Sequence, residues 1–253
     1  MKNDLLRQIL NIVGMLVVLV VNAMASLLPL NGLTTAQISD SFFILFVPAG
    51  YVFSIWGIIY LGLIAFTVYQ ALPAQRSNAR MQKMGIWFFL SGIANSFWLV
   101  SFHYQLFGLA MIMMLVLLGI LIRIYTLLGI GKEKVKPVEK WVVNLPFSIY
   151  LGWITVATIA NASQLLYFVN WDGFGIAAEI WTLIMLAAAL IISTLVSFTR
   201  KDVGYALVLV WALVGIAIKQ SAVPIVANAA WISAVVIAGV LVIALIQKRV
   251  TAR

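Results

Sequence analysis

Residues 48–60 read Pro-Ala-Gly-Tyr-Val-Phe-Ser-Ile-Trp-Gly-Ile-Ile-Tyr. Pro48 has a fixed φ and no N–H, which suits the first turn of a helix, so a polar stretch ends there and an apolar helix begins. At 100° per residue Phe53, Trp56 and Tyr60 share one face. Gly50, Ser54 and Gly57 fall on an adjacent face, where missing bulk lets another helix come close. The stretch thus predicts a packing seam with a flat aromatic wall. Ordinary helix packing with an interfacial aromatic belt would use the same residue types.

Outward from this stretch, the 253-residue chain is 64% hydrophobic and 9% charged, with a mean hydropathy of +1.12. No soluble domain of this size carries such a composition on its surface, so the chain is read as an integral membrane protein. Cysteine is absent and His103 is the single histidine. That composition excludes disulfides, thiolate chemistry and a multi-histidine metal site, and we expect neither a metal nor a cofactor. The net charge of +9 raises the question of nucleic acid, but its placement answers it. Fifteen of the sixteen lysines and arginines fall at the termini and in alternate gaps between apolar runs, at Lys2, Arg7, Arg76, Arg80, Lys83, Arg123, Lys132, Lys134, Lys136, Lys140, Arg200, Lys201, Lys248, Arg249 and Arg253. Only Lys219 is left for the opposite side. This is the positive-inside pattern, with both termini cytoplasmic and the basic excess facing the lipid bilayer, not nucleic acid.

The first span is expected over about residues 9–30, roughly the 20 residues a bilayer needs, and is read as a retained helix, not a cleaved signal. On it Asn11, Met15, Asn22 and Ser26 share a face that looks into the bundle, because an amide facing lipid would lack partners. Residues 31–47 are too long for a tight turn. They are read as a lid over the bundle mouth, with Thr34 or Thr35 capping a short helix. The second span covers 48–72 and the third 84–103. The third carries Phe88, Ser91, Asn95, Trp98 and Phe102 as one stripe, with a Trp and an Asn at mid-depth, away from the headgroup belt. His103 is expected in a solvated turn. The fourth span, about 106–130, is Met- and Leu-rich, Arg123 snorkels from it, and the basic 132–140 loop is expected to be solvated. The fifth, about 141–169, is expected to kink at Pro146. It projects Tyr150, Trp153, Ala157, Ala160, Asn161 and Gln164 to one side, as either a small-molecule slot or a packing groove.

Three further spans are read at about 174–198, 203–220 and 223–246. Glu179 and Lys219 lie within or beside these apolar segments toward the non-cytoplasmic end. An ion pair between them would relieve two desolvation costs at once, as would separate contacts with headgroups. The fold class expected is therefore all-α, a polytopic membrane bundle of eight transmembrane helices.

With these residues laid out, about residues 9–170 resemble the tryptophan-rich sensory protein family, also called translocator proteins or peripheral-type benzodiazepine receptors (TspO/MBR). Pro48, Gly50, Tyr51, Phe53, Trp56 and Tyr60 are similar to the segment that opens its second helix. Asn95, Trp98 and Phe102 resemble the third-helix motif, and Pro146, Trp153, Ala157 and Asn161 the fifth. Tyr51 stands where that family usually has Trp, Ala49 replaces a Pro, and three helices follow the usual five. The resemblance implies a five-helix core over 1–170 with a three-helix membrane extension over 171–253. It also implies a non-enzymatic receptor or carrier, sensory or regulatory, for porphyrins, other tetrapyrroles or sterol-like molecules, and is compatible with a homodimer. The expected location is a bacterial plasma membrane.

On this reading Tyr51, Phe53, Trp56, Tyr60, Trp98, Tyr150 and Trp153 supply the walls of the site, Ala157 leaves room, and Asn22, Asn95 and Asn161 are polar anchors. The alternative is a proton-coupled secondary transporter using Glu179 and Lys219. Enzymatic chemistry has little support, since no nucleophile and base can be paired and no catalytic residue is assigned.

Overall fold

A computed structural model describes residues 2–27 and 30–250, without the side chains of Lys2, Asn3, Ser26, Lys248, Arg249 and Val250. The expectations at Lys2, Ser26, Lys248, Arg249 and Arg253 therefore lie outside the described residues. Eight long helices run through the rest: α1 Lys2–Leu27, α2 Ile55–Ala71, α3 Trp87–His103, α4 Phe107–Leu127, α5 Leu145–Phe168, α6 Ala178–Arg200, α7 Val203–Lys219 and α8 Pro224–Val250. There is no strand among the described residues. Among the described residues, six segments are long and apolar enough to cross a membrane: Asp4–Ala25, Gly50–Ala71, Phe107–Leu127, Pro137–Phe168, Ala178–Arg200 and Pro224–Gln247. The remaining two, α3 and α7, have 17 residues each. At 1.5 Å per residue they reach about 26 Å, a little less than the hydrocarbon core. Both have many buried residues and lie inside the bundle.

Packing follows the small residues. α1 crosses α3 where a Cβ on Gly92 would stand 2.9 Å from the Gly14 carbonyl, so both glycines are required by backbone contact. α2 packs on α1 and α5, and α5 in turn packs on α4 and α7. Gly152 of α5 lies against Tyr205 and Val208 of α7. α6 and α8 pack against each other and against α7, so α7 joins the last three helices to the first five.

Several local expectations are corrected. Pro48 does not start the α-helix directly; a 3₁₀ turn, Gly50–Ser54, precedes α2. A Cβ at Gly50 or Gly57 would meet nothing within 4 Å, and Ser54 is exposed. The expected seam thus faces outward, and the close approach falls instead at Gly62, against Pro146 of α5. Pro146 lacks the N–H that would continue the helical ladder, and the chain widens into a π turn at Lys140–Asn144 just ahead of it. The polar groups of the basic loops are not simply solvated. Arg80 pairs with Glu139 at 2.5 Å and donates to the Leu128 carbonyl at 2.6 Å and to Asn144 Oδ1 at 2.7 Å. Asn78 and Tyr69 also donate to Glu139. The guanidinium is held there because a loop packed against helix ends leaves carbonyls and a carboxylate that need donors.

Candidate functional site

The lid expectation holds in position. Thr34 caps the short helix Thr35–Asp40 in a reciprocal capping box with Gln37, and Ile38, Ser39, Leu45, Phe46 and Val47 of the segment are buried on its inner side. Contacts from three sides tie it down. Phe42 meets Phe107 and Tyr167 edge-on, Gln220 donates to the Leu45 carbonyl at 3.1 Å, and Ala49 N–H donates to the Gly215 carbonyl at 3.1 Å. His103 is the third tie, and it corrects the solvated-turn expectation. Its ring is fully buried, with Nδ1 3.1 Å from the Leu30 carbonyl and Nε2 3.0 Å from Thr35 Oγ1. A carbonyl only accepts, so a neutral ring carries its proton on Nδ1 and accepts from Thr35 at Nε2.

Below the lid, α2, α3 and α5 bring the aromatic side chains together. Trp56 is stacked on Tyr60 at 5.4 Å between centroids and 19° between planes, and on Trp98 at 6.1 Å and 25°. Tyr150 and Trp153 approach Trp56 edge-on at 6.1 and 6.3 Å, and Phe53 meets Trp153 edge-on at 5.7 Å. Offset stacking and edge-to-face contact are the arrangements that ring quadrupoles favour. These side chains point into the bundle, with Trp98, Tyr150 and Trp153 at most 3% exposed. Two polar relays support them. Tyr60 donates to Asn22 Oδ1, and Asn22 Nδ2 donates to Asn95 Oδ1 at 3.1 Å. Trp98 Nε1 donates to Asn161 Oδ1 at 3.0 Å, while Asn161 Nδ2 returns to the Ala157 carbonyl at 2.9 Å.

A cavity of about 30 Å³ lies between this cluster and the lid, lined by Phe53, Trp56, Trp98, Trp153, Ala157 and Asn161 from the expected set. It is room for a water or two. Tyr60, Asn22, Asn95 and Tyr150 stand behind the lining rather than in it. Tyr51 is not brought to the site: it is 44% exposed and packs edge-on against Trp211 of α7 at 5.3 Å. Residues 51 and 53 are two positions apart, which puts them on different faces of any helical turn, so with Phe53 turned in Tyr51 turns out. Of the other lining residues, Ala160 and Gln164 lie on the fifth-span face read as a slot or a groove and Phe102 on the third-span stripe, whereas Thr35 and Ser39 were outside the expected site. Gln164 carried a readable signal, since 153, 157, 160 and 164 recur at i, i+4, i+7 and i+11 on α5.

The Glu179–Lys219 ion pair does not form. Lys219 pairs with Asp40 of the lid, and Glu179 has no ion pair among the described residues. The physical reason is proximity: the C-terminal end of α7 sits beside the lid, also through Gln220 and Leu45, so the ammonium finds the lid's carboxylate first.

The model of a family described as TSPO-like protein matches residues 8–243. The chain belongs to that family. The TSPO-like match runs past residue 170 and through α6 and α7 into α8, so it takes in the last three helices as well as the first five. The protein is thus a multi-pass integral membrane protein of TSPO-like type. No curated protein and no solved structure matches the chain.

Proposed function

We propose that this protein is a receptor or carrier, with a sensory or regulatory role, that binds a flat apolar ligand of porphyrin, tetrapyrrole or sterol-like kind between α2, α3 and α5, beneath the 30–47 lid. The observation that carries this reading is the inward convergence of Trp56, Trp98 and Trp153 on one cavity inside a chain whose outer surface is already apolar. Aromatic rings turned away from lipid and toward each other make a stacking wall that a planar guest can share at small entropic cost. Drug-sized ligands need about 300–1,000 Å³, and the cavity is about 30 Å³. Binding therefore requires the lid to lift and the Trp56 stack to part. The proposal includes eight membrane crossings, with α3 and α7 sheltered inside the bundle, both termini cytoplasmic, and a bacterial plasma membrane as the location. Residues 1–170 hold the ligand and residues 171–253 brace them, a division supported by α7, which packs on α5 and reaches the lid.

The test is titration of the purified protein with protoporphyrin IX, followed by tryptophan quenching. Saturation is expected, with binding weakened at least tenfold in Trp153→Ala. Quenching that rises without saturating, or a Trp153→Ala variant that binds like the parent, overturns the reading.

A further inference from the structure

Two buried donors in the cavity lining lack partners. Trp153 and Gln164 are each 3% exposed and line the cavity, yet Trp153 Nε1 and Gln164 Nε2 have no hydrogen-bond partner. An indole nitrogen is only ever a donor, so the unmet group at Trp153 calls for an acceptor. No ionisable side chain lines the cavity, so nothing there would balance a cationic guest. The two unmet donors are eleven residues apart on α5, which at 100° and 1.5 Å per residue puts them on the same face and about 16 Å apart along the axis. Between them the same face presents Ala157 and Ala160, which leave a smooth apolar floor. Asn95 Nδ2 is also unmet, but Asn95 does not line the cavity.

We propose that the occupant is an elongated, uncharged, apolar molecule with a hydrogen-bond acceptor near each end, one taking the Trp153 indole N–H and the other the Gln164 amide N–H. This rests on the ligand-binding reading above and specifies the chemistry of its ligand. Buried donors left unmet are costly, and a guest that meets them gains what the empty protein lacks. Gln164 becomes a specificity-determining residue at the lid end, and Trp153 a recognition group as well as a wall.

The experiment uses the full chain in nanodiscs and rod-shaped probes of equal shape: 4,4′-diacetylbiphenyl with two acceptors, 4-acetyl-4′-ethylbiphenyl with one, and 4,4′-diethylbiphenyl with none. Affinities are read by equilibrium dialysis against protein-free nanodiscs, so that partition into lipid cancels. The expected order is two acceptors over one over none, with about tenfold per acceptor, corresponding to 1.4 kcal/mol each. In Gln164→Leu and in Trp153→Phe the ratio of the two-acceptor to the no-acceptor probe falls by about tenfold. Equal affinities, or a preference for the hydrocarbon in the parent protein, overturn the inference while leaving the ligand-binding reading intact. The same holds if none of the rods binds but protoporphyrin IX saturates. If neither the rods nor protoporphyrin IX bind, both fall. The parent's preference alone decides the matter should either variant fail to fold.

Discussion

The two ends of the bundle treat buried polar atoms differently. At the end away from the lid Gln8 donates to the carbonyls of Gln70 and Leu72, Asn11 accepts from the Phe89 N–H, and Arg80 joins Glu139, Asn144 and Leu128. Some guanidinium nitrogens there, such as Arg7 Nε and Nη1, remain unmet, but Arg7 Nη2 donates to the Gln75 carbonyl. Under the lid, by contrast, the Trp153 indole N–H and the Gln164 Nε2 amide are both unmet. A buried polar group that finds its partner within the chain holds the architecture together. One that does not, and that borders a cavity, is available to a guest.

This contrast can be broken or sharpened by substitution. The largest effect is expected at Glu139→Ala, which leaves the Arg80 guanidinium with only the more exposed and more distant Glu133 carboxylate, 3.9 Å away. A loss of about 3–5 kcal/mol is expected in a denaturant titration in detergent, and the Arg80→Leu, Glu139→Leu double variant recovers part of it. If the single variant unfolds like the parent, the Arg80–Glu139 network is not structural. Next is His103→Phe, which keeps a ring but leaves Thr35 and the Leu30 carbonyl without their partner. About 1–3 kcal/mol is expected to be lost locally, read as faster amide exchange over residues 30–47 and unchanged exchange in α4. Uniform acceleration throughout the bundle would mean that His103 serves the whole fold, not the lid. The smallest effect is expected at Lys219→Met. Its pair with Asp40 is partly exposed, so global stability should change by no more than about 1 kcal/mol. Ligand association should nonetheless quicken if that pair restrains the lid, and an unchanged association rate would discount it as a latch.

Much of the fold was readable in residue patterns. The order of eight helices follows from apolar runs separated by Pro, Gly and charge, and the inward face of α5 follows from the recurrence of Trp153, Ala157, Ala160 and Gln164 at helical spacing. Where the reading missed, the cause was a local departure from that spacing or a long-range partner. A 3₁₀ turn at 50–54 replaced the expected first turn of the second helix, and Tyr51, two positions from the inward Phe53, fell on another face against Trp211. Lys219 met a carboxylate 179 positions away along the chain rather than Glu179. His103 read as a loop residue because nothing in its own neighbourhood names Leu30 or Thr35 as partners.

The amino-acid sequence by itself determined that this protein lives in a bilayer, that it is helical, and which aromatic side chains share a helix face, because hydropathy and 100° periodicity are local properties of the chain. Only the tertiary structure decided that three tryptophans on three helices enclose one cavity, that the lid is held by His103 and Lys219, and that Trp153 and Gln164 are left without partners. Whether a buried donor is met depends on atoms brought in from distant parts of the chain, and no local pattern carries that information.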